Sequence, residues 1–383
     1  MTPFEFATAG RIVFGEGCSA SVPARAAEFG TNVLVVTGGN PGRAEWLVER
    51  LQEQGSDVAL LCVDGEPDVD FVSGGAQLAR RRGTQAVIGI GGGSAIDAAK
   101  AIAALATNGG ETRDYLEVVG SGLPITSAPL PDIAVPTTAG TGSEVTRNAV
   151  LTVPGAGIKV SLRSPLMLPR LAVVDPALTY DLPPPLTAST GLDALTQLVE
   201  PFLSSRANAM TDAFCREGIP RVARSLERAW RNGRDASARA DMAMASLFGG
   251  LALANAGLGA VHGLAAPIGG MVRAPHGAVC AALLPHVMGA NVQALRAADL
   301  GHPALERAAE TGLLLAGRAD ADAAVAWLHG MAARLRVPRL GELGVSAADF
   351  AAVAAQAQRS SSMKGNPVAL SDAQLVAILD AAR

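Results

Sequence analysis

The stretch Ala86-Val-Ile-Gly-Ile-Gly-Gly-Gly-Ser94 decides the fold. A short β-branched run passes straight into glycines, and Ser94–Leu105 then follows a helical pattern. Where a strand turns on glycines into a helix, the backbone can approach a diphosphate, and free amide N–H groups and the helix dipole favour the negative charge. Gly91, Gly92, Gly93 and Ser94, with Asp97 one turn on, are therefore candidate cofactor contacts. The run is not a complete GxGxxG fingerprint. It also suits a plain turn in which Ser94 caps the helix and Asp97 closes a capping box.

Outward from this turn the same alternation repeats. Residues 32–37 read as a buried strand, 41–54 as a helix, 57–63 as a strand and 68–82 as a helix. That order predicts parallel strands with right-handed crossovers. Residues 132–136 and 171–175 read as further strands, with 148–153 and 158–162 as a hairpin between them. After Leu182-Pro-Pro-Pro185 only helical patterns remain, so the expected division is an α/β domain over 1–182 and an all-helical domain over 183–383.

Two further loops extend the phosphate chemistry. Thr137-Thr-Ala-Gly-Thr-Gly-Ser143 follows a strand and offers the hydroxyls of Thr137, Thr138, Thr141 and Ser143 to phosphate or ribose. Thr37-Gly-Gly-Asn-Pro-Gly-Arg43 places Gly38 and Gly39 at the end of the first predicted strand. No acidic residue stands there to hold ribose hydroxyls, and Arg43 could pair with a 2′-phosphate or simply be a solvated helix-start residue. The loop therefore tolerates NADP as well as NAD.

The bulk composition narrows the class. In 383 residues, 49% are hydrophobic and 17% charged, and the net charge is −4. The longest basic run is Arg80-Arg81-Arg82, so nucleic acid is not an expected partner. The four cysteines have no CxxC pair or zinc spacing and read as buried or incidental thiols of a reducing, cytoplasmic compartment. The first thirty residues have no apolar signal core. Residues 249–272 carry no charge, but their glycines, proline and histidine predict a buried helix pair rather than a membrane span.

The helical half holds a different chemistry. Residues 249–290 contain one charge, Arg273, yet include His262, His276 and His286. Imidazoles in a nearly charge-free stretch are costly unless something uses them, and a divalent metal is the commonest user. Asp193 and Gln197, four apart, share a helix face. Asp193, His262 and His276 make a mixed oxygen and nitrogen set suited to Fe2+ or Zn2+. His286 reads as a core residue or a support for the metal site, and His302 and His329 as surface residues.

Taken together, several motifs closely resemble the iron-containing (group III, metal-dependent) alcohol dehydrogenase family. They are Gly-Gly-Gly-Ser-xx-Asp at 91–97, Pro-Thr-Thr-Ala-Gly-Thr-Gly-Ser-Glu-Val-Thr at 136–146 and Gly-Leu-Asp-Ala-Leu-Thr at 191–196. Val-His-Gly at 261–263, Ala-Pro-His-Gly at 274–277 and Gly-Asn-Pro at 365–367 extend the match over nearly the whole chain. The resemblance implies a dehydroquinate synthase-like architecture: a parallel, Rossmann-like α/β domain, an all-α domain, and an active site in the cleft between them. It implies NAD(P)-linked interconversion of a small-molecule alcohol and an aldehyde or ketone by hydride transfer, in a homo-oligomer of at least two copies. By the same likeness Gly92, Gly93, Ser94, Thr137, Thr138, Thr141, Ser143 and Lys159 lie at the dinucleotide, and Asp193, His262 and His276 hold the metal.

Two positions depart from the family pattern. Gln197 stands where the family has a fourth histidine ligand, and Ala266 where it has a histidine near the reacting carbonyl. Gln197 as a direct ligand, Gln197 linked through water, and a metal-free site all stay open. A metal-free nucleotide sensor or carrier, or a lyase or phosphate-substrate enzyme on the same fold, are the alternatives. The second needs a basic cluster, and Arg273 is the one cation near the metal motif.

Overall fold

A computed structural model describes residues 3–116, 119–154, 158–272 and 274–383. Its contacts divide the chain into two units. One is Thr8–Thr138 with Gly142–Thr179, the other Tyr180–Arg383 with Met1–Ala7 and Ala139–Thr141.

The first unit is built on β1 (Ile12–Phe14), β2 (Asn32–Gly38), β3 (Asp57–Val63), β4 (Ala86–Gly91), β5 (Asp132–Pro136) and, after the hairpin β6 (Asn148–Val153) and β7 (Ile158–Arg163), β8 (Leu171–Val174). Six of these strands form one sheet in the order β1-β8-β5-β4-β2-β3, and every pairing in it is parallel. The helices are α1 (Val22–Ala27), α2 (Glu45–Glu53), α3 (Val69–Arg82) and α4 (Gly93–Thr107). Period-2 alternation sorts the strand side chains. Leu34, Val36 and Val87 pack with α3 and α4, while Val33, Val35, Ile88 and Ile90 pack with α1 and α2. Sheets covered on both faces read as continuous apolar runs, as these do.

Topology places the loops. From β2 the chain steps outward to β3, then crosses back to β4 on the other side of β2. The switch point lies between β2 and β4, where ligands of open parallel sheets bind beyond the strand ends. Both glycine loops, Gly38-Gly39 and Gly91–Ser94, leave from there.

Local differences have local causes. The helix expected over 41–54 opens as a 3-10 turn at Pro41–Arg43, because Pro41 and Gly42 resist regular α geometry, and α2 starts at Glu45. β1 is three residues long, too short to show alternation. The capping box at Ser94 and Asp97 does not form: α4 begins at Gly93 with Gly92 as N-cap and no side-chain cap.

The second unit is helical, with no strand among its described residues. Its helices are α5 (Pro184–Leu203), α6 (Ala209–Arg231), α7 (Ala236–Ala256), α8 (Ala260–Met271), α9 (His276–Ala298), α10 (Pro303–Ala316), α11 (Ala321–Arg334), α12 (Phe350–Ala357) and α13 (Asp372–Ala382). Prolines at the start of α5 suit the first turn, where their missing N–H is not needed. The charge-free stretch becomes α7 and α8, bent by 97° at Gly257-Leu-Gly259. The most span-like helix, α9, has 72% of its apolar window buried inside the fold.

Candidate functional site

α5 carries Asp193, Gln197 and Glu200 on one buried face, at spacings of four and three. α8 carries His262, and α9 opens on His276 with Cys280 one turn further along. Tight packing brings these helices together. A Cβ on Gly277 would stand 2.9 Å from the Ser189 carbonyl oxygen and 3.5 Å from Asp193 Cβ, so only glycine lets the first turn of α9 rest on α5.

The result is a compact donor set. One ligand atom each from Asp193, His262, His276 and Cys280 all lie within 4.8 Å of one another. His262 Nε2 is 3.5 Å and His276 Nε2 4.0 Å from Asp193 Oδ1, and Cys280 Sγ is 3.5 Å from His276 Nε2. Asp193 is 1% exposed, yet its Oδ1 has no hydrogen-bond partner among the described residues, and neither does Gln197 Oε1. Buried polar atoms are ordinarily paired, so two unpartnered oxygens at one buried cluster fit a cation. Gln197 Nε2 donates to Asp193 Oδ2 at 3.0 Å, holding one carboxylate oxygen and leaving Oδ1 toward the cluster.

Glu200 supports the set from behind. Its Oε2 accepts from His262 Nδ1 at 2.7 Å and its Oε1 from the Val261 amide at 2.7 Å. With Nδ1 held by Glu200, Nε2 is the His262 nitrogen that faces Asp193, the carboxylate–histidine arrangement common behind bound metals. Asn366, from the Gly-Asn-Pro motif, accepts from the Ala260 amide at 3.1 Å, so the first turn of α8 is capped by two distant side chains.

The charges agree with this grouping. Burial opposes ionisation of Asp193, but the adjacent His262 ring and the His276 charge outweigh it and hold its carboxyl below the ordinary range. Negative charge on Cys280 does most to push His276 up, to about 9. For His262 burial favours the neutral ring, and Cys280, Glu200 and Asp193 together overcome it, raising it well above the usual value.

In the α/β unit, Gly91 has φ +156°, a conformation glycine tolerates, and the space beside Gly92 is open: a Cβ there meets nothing nearer than Thr138 Cγ2 at 3.4 Å. An uncapped helix start with open space suits a phosphate. Asp97 closes no capping box. It accepts from Ser143 Oγ and from the Val150 amide at 2.9 Å, and pairs with Lys100 at 3.1 Å. Lys100 in turn donates to Ser143 O at 2.9 Å and Thr146 Oγ1 at 3.1 Å. One helical turn of α4 thus ties the hydroxyl loop to the glycine loop. Lys159 pairs with Glu66 at 2.9 Å. Arg43 is exposed. An acidic group does reach the end of β2, but from β3: Asp64 Oδ1 lies 3.2 Å from where a Cβ on Gly39 would stand.

Sequence reasoning missed Cys280 and Glu200. Helical spacing puts Cys280 on the His276 face and Glu200 near the Asp193 face, but only the docked helices bring them to one cluster; Cys280 is buried, in keeping with the reading of the cysteines as buried or incidental thiols. His286 lies outside the cluster and packs edge-on against His329, with ring centroids 4.9 Å apart. His302 caps α10, accepting from the Ala304 amide. Arg273 lies outside the described residues.

One unit thus carries a parallel sheet with glycine loops at its switch point, and the other, helical, holds a buried carboxylate–imidazole cluster. The model of the iron-containing alcohol dehydrogenases matches residues 9–176 and that of the family's C-terminal region residues 187–383, so the chain belongs to the iron-containing alcohol dehydrogenase family. It is 40% identical over 332 residues to alcohol dehydrogenase 4 of Saccharomyces cerevisiae strain YJM789, covering 86% of this chain and 84% of that protein. A 1,3-propanediol oxidoreductase crystal structure superposes with a TM-score of 0.91 at 33% identity, covering the whole of both chains. Sulfoacetaldehyde reductase from Bifidobacterium kashiwanohense, solved in complex with NAD+, superposes at 0.87 with 29% identity, covering 100% of this chain and 99% of that one. The chain is an enzyme of the alcohol dehydrogenase type, acting on small-molecule alcohols or aldehydes.

Proposed function

We propose that this enzyme interconverts an alcohol and an aldehyde or ketone with NAD(P), in the cytoplasm, using one divalent metal held by Asp193, His262 and His276. The observation that carries the reading is the convergence of their donor atoms around a buried, unpartnered Asp193 Oδ1. When bound, the metal supplies Lewis acidity to the substrate oxygen and the nicotinamide supplies or accepts the hydride.

The chain's own residues do the rest. Asp193 brings negative charge to the buried site, Glu200 fixes the His262 tautomer, and Gln197 steadies the second oxygen of Asp193. Gly91–Ser94 offer backbone N–H groups and a helix start to the diphosphate, while Asp97 and Lys100 hold the Thr137–Ser143 loop in register. Ala266 provides no proton, so water or a hydroxyl takes that part.

At the adenosine end, Arg43 attracts a 2′-phosphate and Asp64 suits free ribose hydroxyls, which supports use of both NADP and NAD. The test is NADPH and NADH oxidation across a panel of aldehydes, for the unsubstituted protein and Arg43→Ala. Both cofactors should be oxidised, and Arg43→Ala should cut kcat/KM for NADPH relative to NADH by about 10-fold, the size of one charge-assisted contact. No oxidation of either cofactor with any aldehyde would end the reading.

A further inference from the structure

We propose that Cys280 is the fourth protein ligand of this metal, making the site an Asp–His–His–Cys set that selects zinc. This rests on the proposed function only in requiring that a divalent ion occupies the cluster.

The argument begins at the position where the resemblance leads one to expect a fourth histidine. Gln197 stands there: its Nε2 donates to Asp193 Oδ2, and the Oε1 that is left is a neutral amide oxygen, a weaker donor to a borderline metal than an imidazole. The donor count is restored from another helix. Cys280 is one turn along α9 from His276, fully buried, with Sγ 3.5 Å from His276 Nε2. Around a tetrahedral zinc, a sulfur at 2.3 Å and an imidazole nitrogen at 2.0–2.1 Å stand roughly 3.5–3.6 Å apart. The His262 Nε2 to Asp193 Oδ1 separation, 3.5 Å, also approaches the spacing of two donors on one ion. A second, independent sign is Asp193 Oδ1 itself, buried beside the sulfur with no hydrogen-bond partner among the described residues.

Charge supports the same assignment. One carboxylate leaves a buried divalent ion with an uncompensated positive charge, whereas a carboxylate and a thiolate neutralise it. A thiolate is a soft donor, which favours zinc over ferrous iron. The zinc-bound cysteine is the thiolate, so its proton leaves to solvent when the metal binds. The side chain of His276 is 37% exposed, so the cluster opens on that side, where a substrate oxygen can add as a fifth donor.

The test is zinc-edge X-ray absorption on the full chain, stripped by chelator and reloaded with one equivalent of Zn2+. The expected result is one sulfur scatterer near 2.3 Å with the remaining shell of nitrogen and oxygen. Cys280→Ser should lose the sulfur shell and bind zinc more weakly by over about 100-fold, beyond the loss typical of a supporting residue. With cobalt loaded instead, the unsubstituted protein should show a thiolate-to-cobalt charge-transfer band that the variant lacks, its fold checked by circular dichroism. A shell of nitrogen and oxygen alone around stoichiometric zinc, with metal-dependent turnover intact, would overturn the cysteine assignment and leave the proposed function standing. Failure to bind any metal would overturn both.

Discussion

Glu200 makes the site at the scale of single residues, although it touches no donor position itself. A neutral imidazole has one N–H and one lone pair, and a carboxylate on Nδ1 decides which nitrogen carries which. Losing that hydrogen bond frees the ring to turn and leaves the Val261 amide, also held by Glu200, without its acceptor. Glu200→Ala should therefore weaken metal binding by about 10–100-fold in a metal titration, while Glu200→Gln, which can still accept, should lose less. Equal affinity in all three proteins would remove Glu200 from the metal site. The residue-level chemistry was only partly legible in the sequence. His262 and His276 could be singled out because imidazole is rare in a nearly charge-free stretch, and Asp193 through the Gly-Leu-Asp-Ala-Leu-Thr motif. Cys280 could not, because a cysteine among alanines reads as a small apolar filler until its helix is docked. Asp64 was hidden for a related reason: it follows the last residue of β3 and comes to the end of β2 only because the two strands pair.

At the scale of elements, the site depends on how closely α9 approaches α5. Gly277→Ala would drive a methyl against the Ser189 carbonyl, and backbone cannot yield as a flexible side chain can. Overpacking of this kind costs about 1–3 kcal/mol. Denaturant unfolding should show that loss, and metal affinity should fall with it, because His276 and Cys280 ride on the displaced turn. A variant as stable and as metal-avid as the unsubstituted protein would contradict the close docking. α9 also carries His286, where burial first, then the charges of His329 and Arg339, hold the imidazole down at about 4, below its usual 6.5. A depressed histidine contributes stability above the unfolded value, and the contribution is lost as pH falls toward 4, because the unfolded chain takes up the proton first. Urea unfolding at pH 7 and pH 5 should show this loss, and His286→Gln should flatten the difference by on the order of 1 kcal/mol after solvent screening. An unchanged difference would place the pH sensitivity elsewhere. Apart from the six-residue α1, the helices of the α/β unit and most of its strands were legible because each is long enough for its period to show. β1 was not, with three residues, and the start of α2 was blurred by Pro41-Gly42, where local stiffness overrides an otherwise helical pattern.

At the scale of the whole molecule, two chemistries are kept in separate units. The α/β unit presents glycine and hydroxyl loops at its topological switch point, and the helical unit brings a carboxylate, two imidazoles and a thiol together from three helices far apart in sequence. Order of motifs along the chain made this division readable, whereas the convergence of distant side chains needed the docked helices. The central claim, that Asp193, His262 and His276 hold one catalytic metal, is tested most directly by His262→Ala, with metal content and NAD(P)H-linked aldehyde reduction measured on the same sample. The account predicts that the variant stays folded, loses its metal and reduces aldehydes more than about 100-fold more slowly. A folded His262→Ala protein with full metal content and unchanged reduction would contradict it.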